Sequence, residues 1–304
     1  MIPIKILDET AQLEAVVLGT AESIGPEPAL EETYDPKSRE QVRNGSYPKE
    51  PALTEELNAV REVLEKYEVK VYRPEIIENY NQVFARDIAF AIGEKLVVPS
   101  ITKERMNESQ GIQYIIDEVK DVIYTGKDLP MEGGDVIPWK QHLFVGYSDP
   151  EDFEKYTVAR TSKASLDYLM EMFPEWEVRG FELKKSDLDP RQNVLHLDCC
   201  FQPLGKDKAV IYPGGFKIES DVEFLIDFFG KKNVFEVSQE EAYEMFANLF
   251  SINQETVVSD RSFTRLNSQL RDWGFVVEEI KYREVPKMGG SFRCSTLPLR
   301  RRYE

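Results

Sequence analysis

The chain has 304 residues, 41% hydrophobic and 31% charged, which is enough apolar material for a sizeable globular core. Its formal net charge of −17 opposes a phosphate backbone, so a nucleic-acid partner is not expected. No apolar run approaches the roughly 20 residues of a membrane span, and the N-terminus turns acidic at Asp8 and Glu9 before a secretory core could form.

Taken in order, Leu13 to Gly19 reads as a buried first strand. From Thr20 to Pro51 prolines and acids replace apolar periodicity, which predicts a long loop, or a loop with short helical pieces, expected to act as a lid. A helix is expected over Leu53 to Tyr67 and a short strand over Val69 to Tyr72. Next come strands Ile88 to Ile92 and Leu96 to Pro99, a helix over Lys103 to Val119 and a strand over Val122 to Tyr124. The same order returns: strands Met131 to Ile137 and Leu143 to Tyr147, helix Asp152 to Phe173, strand Glu177 to Phe181. A third round runs Val194 to Phe201, Ala209 to Tyr212, helix Asp221 to Phe229 and strand Asn233 to Glu236. The fourth runs Asn248 to Ile252, Thr256 to Ser259, helix Ser262 to Trp273 and strand Phe275 to Glu279. A fifth opens at Ser291 to Leu297 and needs the N-terminal strand to complete it.

Each unit is thus strand, strand, helix, strand, with a polar residue near its start: Asp87, Glu132, His196, Asn248 and Cys294. Self-similarity at roughly fifty residues signals a repeat or propeller. A ring of such units brings all five starts to one central site, within a single domain spanning residues 1–304.

Cys294 follows the Gly289-Gly290 pair, where absent Cβ atoms permit tight turning or close approach. A thiol needs a base or a positive field to act as nucleophile. Only two histidines exist. His196 lies in Asn193-Val194-Leu195-His196-Leu197-Asp198, where strand periodicity puts it on one face with Asp198. His142, beside Leu143-Phe144-Val145, reads as a strand or turn residue. Three cysteines, with Cys199 and Cys200 adjacent, give no even disulfide framework, so reduced thiols in the cytoplasm are expected. Cys199 and Cys200 are expected to pack as small hydrophobes. Gly133-Gly134 lacks the spacing of a phosphate loop, and no zinc spacing appears, so no metal or cofactor is expected. Arg300 to Arg302 reads as a solvated or subunit-facing tail.

Phe84-Ala85-Arg86-Asp87, Glu132-Gly133-Gly134-Asp135, His196-Leu197-Asp198 and Gly289-Gly290-Ser291-Phe292-Arg293-Cys294, in this order, resemble the guanidino-group-modifying enzymes. These are the arginine deiminases, dimethylargininases and amidinotransferases, and the resemblance runs from about Leu13 to Arg302. It implies an α/β fold, the five-bladed pentein propeller with pseudo-fivefold ββαβ repeats. It also implies Cys294 as nucleophile, His196 as general acid/base, Glu132 as the carboxylate orienting it, and Asp87 and Asp198 as the grip on a guanidinium. Asn81 matches an asparagine that arginine deiminases place near substrate. Cys199 and Cys200 depart from the family's usual residues.

The residue types suit the chemistry. A guanidinium offers paired N–H donors to carboxylates, and two carboxylates fix its plane within reach of sulfur. The expected reaction is hydrolysis of a C–N bond in arginine or a related guanidine, with amidino transfer to an acceptor amine as the alternative. Arg39 or Arg43 of the lid is expected to pair a substrate carboxylate, from charge type alone. A non-catalytic binding module of the same fold has no use for a cysteine, a histidine and three carboxylates at the blade starts. A homodimer is a family-level expectation.

Overall fold

The computed structural model describes residues 1–303. Strand Gln12–Leu18 (β1) runs parallel to Lys70–Tyr72 (β2), joined through helix Glu50–Lys66. The next sheet holds Phe90–Ile92 (β3), Lys95–Val98 (β4) and Val122–Tyr124 (β5). Then come Val136–Trp139 (β6), His142–Tyr147 (β7) and Glu177–Glu182 (β8), followed by Phe201–Leu204 (β9), Lys208–Ile211 (β10) and Val234–Glu236 (β11). The last complete set is Phe250–Ser251 (β12), Thr256–Asp260 (β13) and Val276–Ile280 (β14). In each sheet the middle strand is antiparallel to the first and parallel to the third. A hairpin makes the first pairing and a helical crossover the second, as strand direction requires. The C-terminal strand Thr296–Arg302 (β15) pairs antiparallel with β1, so the two ends of the chain complete one sheet.

The packing shows why five sheets make one ring. The middle strands are continuous apolar runs, and their alternate residues enter different cores. Val17 packs with Leu96 of the second sheet, whereas Val16 packs with Val258 of the fifth. Val97 joins Leu143 and Val145, Phe144 joins Ala209 and Ile211, and Val210 joins Val257. Every core therefore lies between consecutive sheets, and the fifth closes on the first.

The strands begin later than sequence periodicity suggests. Asp87 sits in the helical turn Ala85–Ile88, Glu132 precedes the turn Gly133–Asp135, and His196 precedes the turn Leu197–Cys199. Asn248 and Cys294 likewise lie before β12 and β15. Side-chain acceptors explain the shift, because they offer the backbone an alternative to the ladder. Gly134 N–H donates to Asp87 Oδ1 (3.2 Å), Leu197 N–H to Asp135 Oδ1 (2.9 Å), and Arg293 and Cys294 N–H to Asn248 Oδ1. The expected strand face shared by His196 and Asp198 is thus a turn.

Two expected helices are broken. The segment after β4 is a series of short turns around Arg105 and Gln113–Ile116. The segment after β7 divides into Pro150–Lys155 and Lys163–Met172, the latter capped by Ser162, whose hydroxyl accepts from Ser165 N–H. The lid region contains the turn Leu30–Glu32 and helix Pro36–Arg43, capped by Asp35.

Arg300 to Arg302 belong to β15 rather than to a solvated tail, and Arg301 is fully buried. Its guanidinium donates to the carbonyls of Ala11, Ser251 (2.9 Å) and Ile252 (3.4 Å), stitching the ring closure to the fifth sheet. Arg301→Ala should lower stability by about 3 kcal/mol or more, because it strands buried carbonyls that a charged donor had satisfied. Urea unfolding at unchanged slope would measure this, and a loss below about 0.5 kcal/mol would contradict the stitching role.

Candidate active site

Cys294 lies on a tight turn just before β15, with Arg86 N–H donating to its carbonyl (3.0 Å). Gly290 makes that approach feasible: a Cβ there would lie 2.5 Å from the Phe84 ring and 2.9 Å from Cys294 Cβ. The thiol is 3.6 and 3.7 Å from the two oxygens of Asp198. Asn248 Nδ2 donates to the same sulfur at 3.2 Å. Burial, the Cys199 thiol and the carboxylates Asp198 and Asp87 push the Cys294 thiol well above its ordinary range. At rest the sulfur therefore carries its proton.

His196 is buried, with Nε2 2.8 Å from Glu132 Oε2 and Nδ1 3.6 Å from Asp87 Oδ1. Among the described residues Nδ1 has no hydrogen-bond partner. Burial opposes a charged ring, but Asp87, the Glu132 hydrogen bond and Asp135 outweigh it and raise its pKa to about 10. Burial would likewise raise Glu132, yet His196, Arg105 and Arg160 hold it down at about 2. The pair is an imidazolium and a carboxylate at neutral pH. Gly134 keeps this space open, since a Cβ would come within 2.7 Å of the His196 ring and 2.8 Å of Asp87 Oδ1.

Two buried arginines complete the charge balance. Arg105 donates to Asp87 Oδ2 (2.6 Å), to both oxygens of Glu108 and, at 3.4 Å, to Glu132. Arg293 donates to Asp198 Oδ2 (2.9 Å) and, through two nitrogens, to Glu9 (3.0 and 3.1 Å). Arg160 stands 3.6 Å from Glu132 and donates to the carbonyl of Tyr34 in the lid. Asp87 Oδ1 and Asp198 Oδ1 remain without an arginine.

The structure thus brings Cys294, His196, Glu132, Asp87 and Asp198 into one buried cluster. Asn81 is apart from it, accepting from Val83 N–H (3.1 Å) and lining a cavity of ≈ 760 Å³ with Tyr34, Asp35, Tyr47, Glu104 and Met288. The lid arginines go elsewhere. Arg39 donates to Thr33 Oγ1, Thr33 O and Asp187 O, which commits its guanidinium to loop carbonyls. Arg43 is exposed at the end of its helix, and neither residue lines the cavity. Cys199 and Cys200 are both buried in the apolar core, as expected, and Cys199 also turns its sulfur to Asp198 Oδ1 (3.5 Å). His142 opens β7 and pairs with exposed Glu177.

Sequence reasoning did not single out Arg105, Arg160, Arg293 or Glu9. Arg105 and Arg160 sit in the interruptions of the two broken helices, so those breaks are the only local signal. Asp87, Glu132 and His196 place three ligand atoms within 4.8 Å, as do His196, Asp198 and Cys199. Glu132 and His196 already satisfy each other, however, and Arg105 holds Asp87. This arrangement suits a planar cation that donates hydrogen bonds better than a metal ion needing free lone pairs.

The family described as "N,N dimethylarginine dimethylhydrolase, eukaryotic" matches residues 33–301. YkgA, an uncharacterised protein of Bacillus subtilis (strain 168), is 32% identical over 220 residues, which are 72% of this chain and 69% of that protein. Among solved structures, SxtG, an amidinotransferase from Microseira wollei in the saxitoxin biosynthetic pathway, has TM-score 0.78 at 18% identity, covering 99% of this chain and 98% of its own. The product-bound N-terminal domain of ArgZ, an arginine dihydrolase of cyanobacteria, has TM-score 0.78 at 19% identity, covering 95% and 98%. These two likenesses establish the shared fold, a five-bladed α/β propeller of pentein type. With the sequence match spanning most of its length, the chain belongs to the N,N-dimethylarginine dimethylhydrolase family of guanidino-group-modifying enzymes.

Proposed function

We propose that this enzyme hydrolyses a C–N bond of the guanidino group of arginine or a related guanidine through a covalent adduct on Cys294. The observation that carries the reading is one thiol 3.6 Å from the Asp198 carboxylate, in one buried cluster with Asp87 and an imidazolium that Glu132 keeps charged. Those carboxylates each retain an oxygen for a planar cation. A bound guanidinium would cancel the negative field that keeps the Cys294 proton in place, so when substrate arrives the thiol gives its proton up to solvent and the thiolate forms.

Thiolate addition to the guanidino carbon gives a tetrahedral adduct. His196 Nδ1, buried and unpartnered, donates its proton to the departing nitrogen as the C–N bond breaks. A thiouronium remains on sulfur and the amine or ammonia leaves neutral. Water then gives one proton to His196 as its oxygen adds to the carbon, and the C–S bond breaks while the adduct's hydroxyl proton passes to sulfur, restoring the thiol and leaving a neutral C=O product. Glu132 keeps the ring oriented through both proton transfers. In this reading Arg105 and Arg293 hold the outer oxygens of Asp87 and Asp198, and Asn81 faces the substrate's tail from the large cavity.

That cavity carries Glu27, Glu32, Asp35, Glu50 and Glu104 against one base, Lys49. Its ≈ 760 Å³ exceeds what an arginine side chain fills, and this room supports amidino transfer to a bound amine as the second reading. We place the enzyme in a reducing, cytoplasmic compartment, because its nucleophile shares a pocket with a second free thiol. Among the described residues no helix is long and apolar enough to cross a membrane.

Purified protein incubated with arginine, dimethylarginine and decarboxylated arginine, with and without glycine as acceptor, should release ammonia or amine without acceptor. Product appearing only with acceptor would replace hydrolysis by transfer. His196→Ala should lower turnover about 10²–10⁴-fold; activity within threefold of the parent would remove His196 from the mechanism.

The charge state of His196 is separately measurable. Its pKa of about 10 lies above the ordinary 6.5, so stabilisation from the ion pair is complete below about 6.5 and lost as pH rises through about 10. Glu132, depressed from 4.5 to about 2, loses the same interaction as pH falls through about 2. Imidazole NMR shifts should show a cationic ring at pH 8, and Glu132→Gln should bring its titration down toward neutrality. A ring already neutral at pH 8 in the parent protein would contradict this assignment.

A further inference from the structure

His196 and Asp198 lie just before β9 and Cys294 just before β15; between them in the chain stands Asn248, just before β12. It is fully buried. Its Nδ2 donates to Cys294 Sγ (3.2 Å) and to Asp198 O (3.1 Å). Its Oδ1 accepts from Arg293 N–H (3.0 Å) and Cys294 N–H (3.2 Å). All four contacts of this amide therefore converge on the nucleophile turn or on the carboxylate residue facing it.

From this geometry, and resting on the function proposed above, we infer that Asn248 is a catalytic residue whose side-chain N–H holds the Cys294 sulfur and stabilises its thiolate during attack. Several of its neighbours work against the thiolate. Asp198 and Asp87 repel it, Cys199 adds a second ionisable thiol, and Tyr282 is a buried phenol. Among the described residues Asn248 Nδ2 is the neutral donor that reaches the sulfur, and a hydrogen bond to the charged form favours that form. The contact also fixes where the sulfur points. Two backbone N–H groups anchor this side chain, so the donor is aimed at the sulfur before substrate arrives.

A mere brace for the turn would need only Oδ1. Asn248→Asp separates the two roles, since it keeps an oxygen for both backbone N–H groups and replaces the donor with a second acceptor beside sulfur. The probe is iodoacetamide, which reports thiolate at Cys294 without any substrate, read by peptide mass spectrometry across pH 6 to 10. Asn248→Asp should slow Cys294 alkylation at pH 8 at least about tenfold and move its pH midpoint upward, the size expected for a hydrogen bond to a charged group. Asn248→Ala, compared at matched folded fraction from circular dichroism, should do the same if the aspartate variant folds poorly. Either folded variant alkylating at the parent rate with an unchanged pH midpoint would overturn the inference. If the parent turned over no guanidine yet the variants lost alkylation, the proposed reaction would fail and the role of Asn248 would stand.

Discussion

Everything at the centre of this ring depends on pairing charges that water cannot reach. Glu9, Asp87, Glu132 and Asp198 are buried, and so are Arg86, Arg105, Arg160, Arg293 and the His196 ring. An isolated buried charge costs several kcal/mol, and removal of one partner from a buried pair typically costs about 3–5 kcal/mol. The cluster survives because each anion meets a cation: Glu132 meets His196, Asp87 meets Arg105, and Glu9 with Asp198 shares Arg293. These partners come from different blades and from the N-terminal segment. Ring closure therefore assembles the site, and the site's charges in turn favour the correct closure.

In the proposed reaction the same pairing holds the Cys294 thiol in check. Two carboxylates near a buried thiol keep it protonated. A protein that holds its thiol neutral until a cation neutralises those carboxylates confines reactivity to cationic ligands. Access adds a second control, since Cys294 is only 2% exposed. The Thr20–Pro51 segment is fastened by side chains to backbone carbonyls, Arg160 to Tyr34, Arg39 to Asp187 and Lys37 to Tyr243.

The repeat, its strand order and its closure by the N-terminal strand were legible because middle strands buried on both faces leave continuous apolar runs, such as Leu143 to Val145 and Ala209 to Ile211. The cluster of Cys294, His196, Glu132, Asp87 and Asp198 was legible through short motifs at repeat starts. Strand boundaries were not, because Asp87, Asp135 and Asn248 capture backbone N–H groups and turn the chain before each first strand. That competition depends on partners forty to sixty residues away. Arg105 and Arg160 were invisible for a related reason. An arginine in a polar stretch reads as solvated, and only the broken crossover helices turn these two inward. Arg39 and Arg43 show the converse, since charge type nominated them and the fold gave their surroundings to loop carbonyls and solvent.

The most direct measurement is the mass of Cys294 in protein quenched in acid during turnover of arginine, with His196→Gln used to slow the second half-reaction. Covalent attack predicts an adduct on the peptide containing Cys294 and on no other. A thiouronium retaining the amino-acid tail would mean that ammonia left first, whereas a bare amidino group would mean that the tail amine left first. Turnover that proceeds with Cys294 unmodified, or that persists in Cys294→Ser, would contradict covalent catalysis at this sulfur.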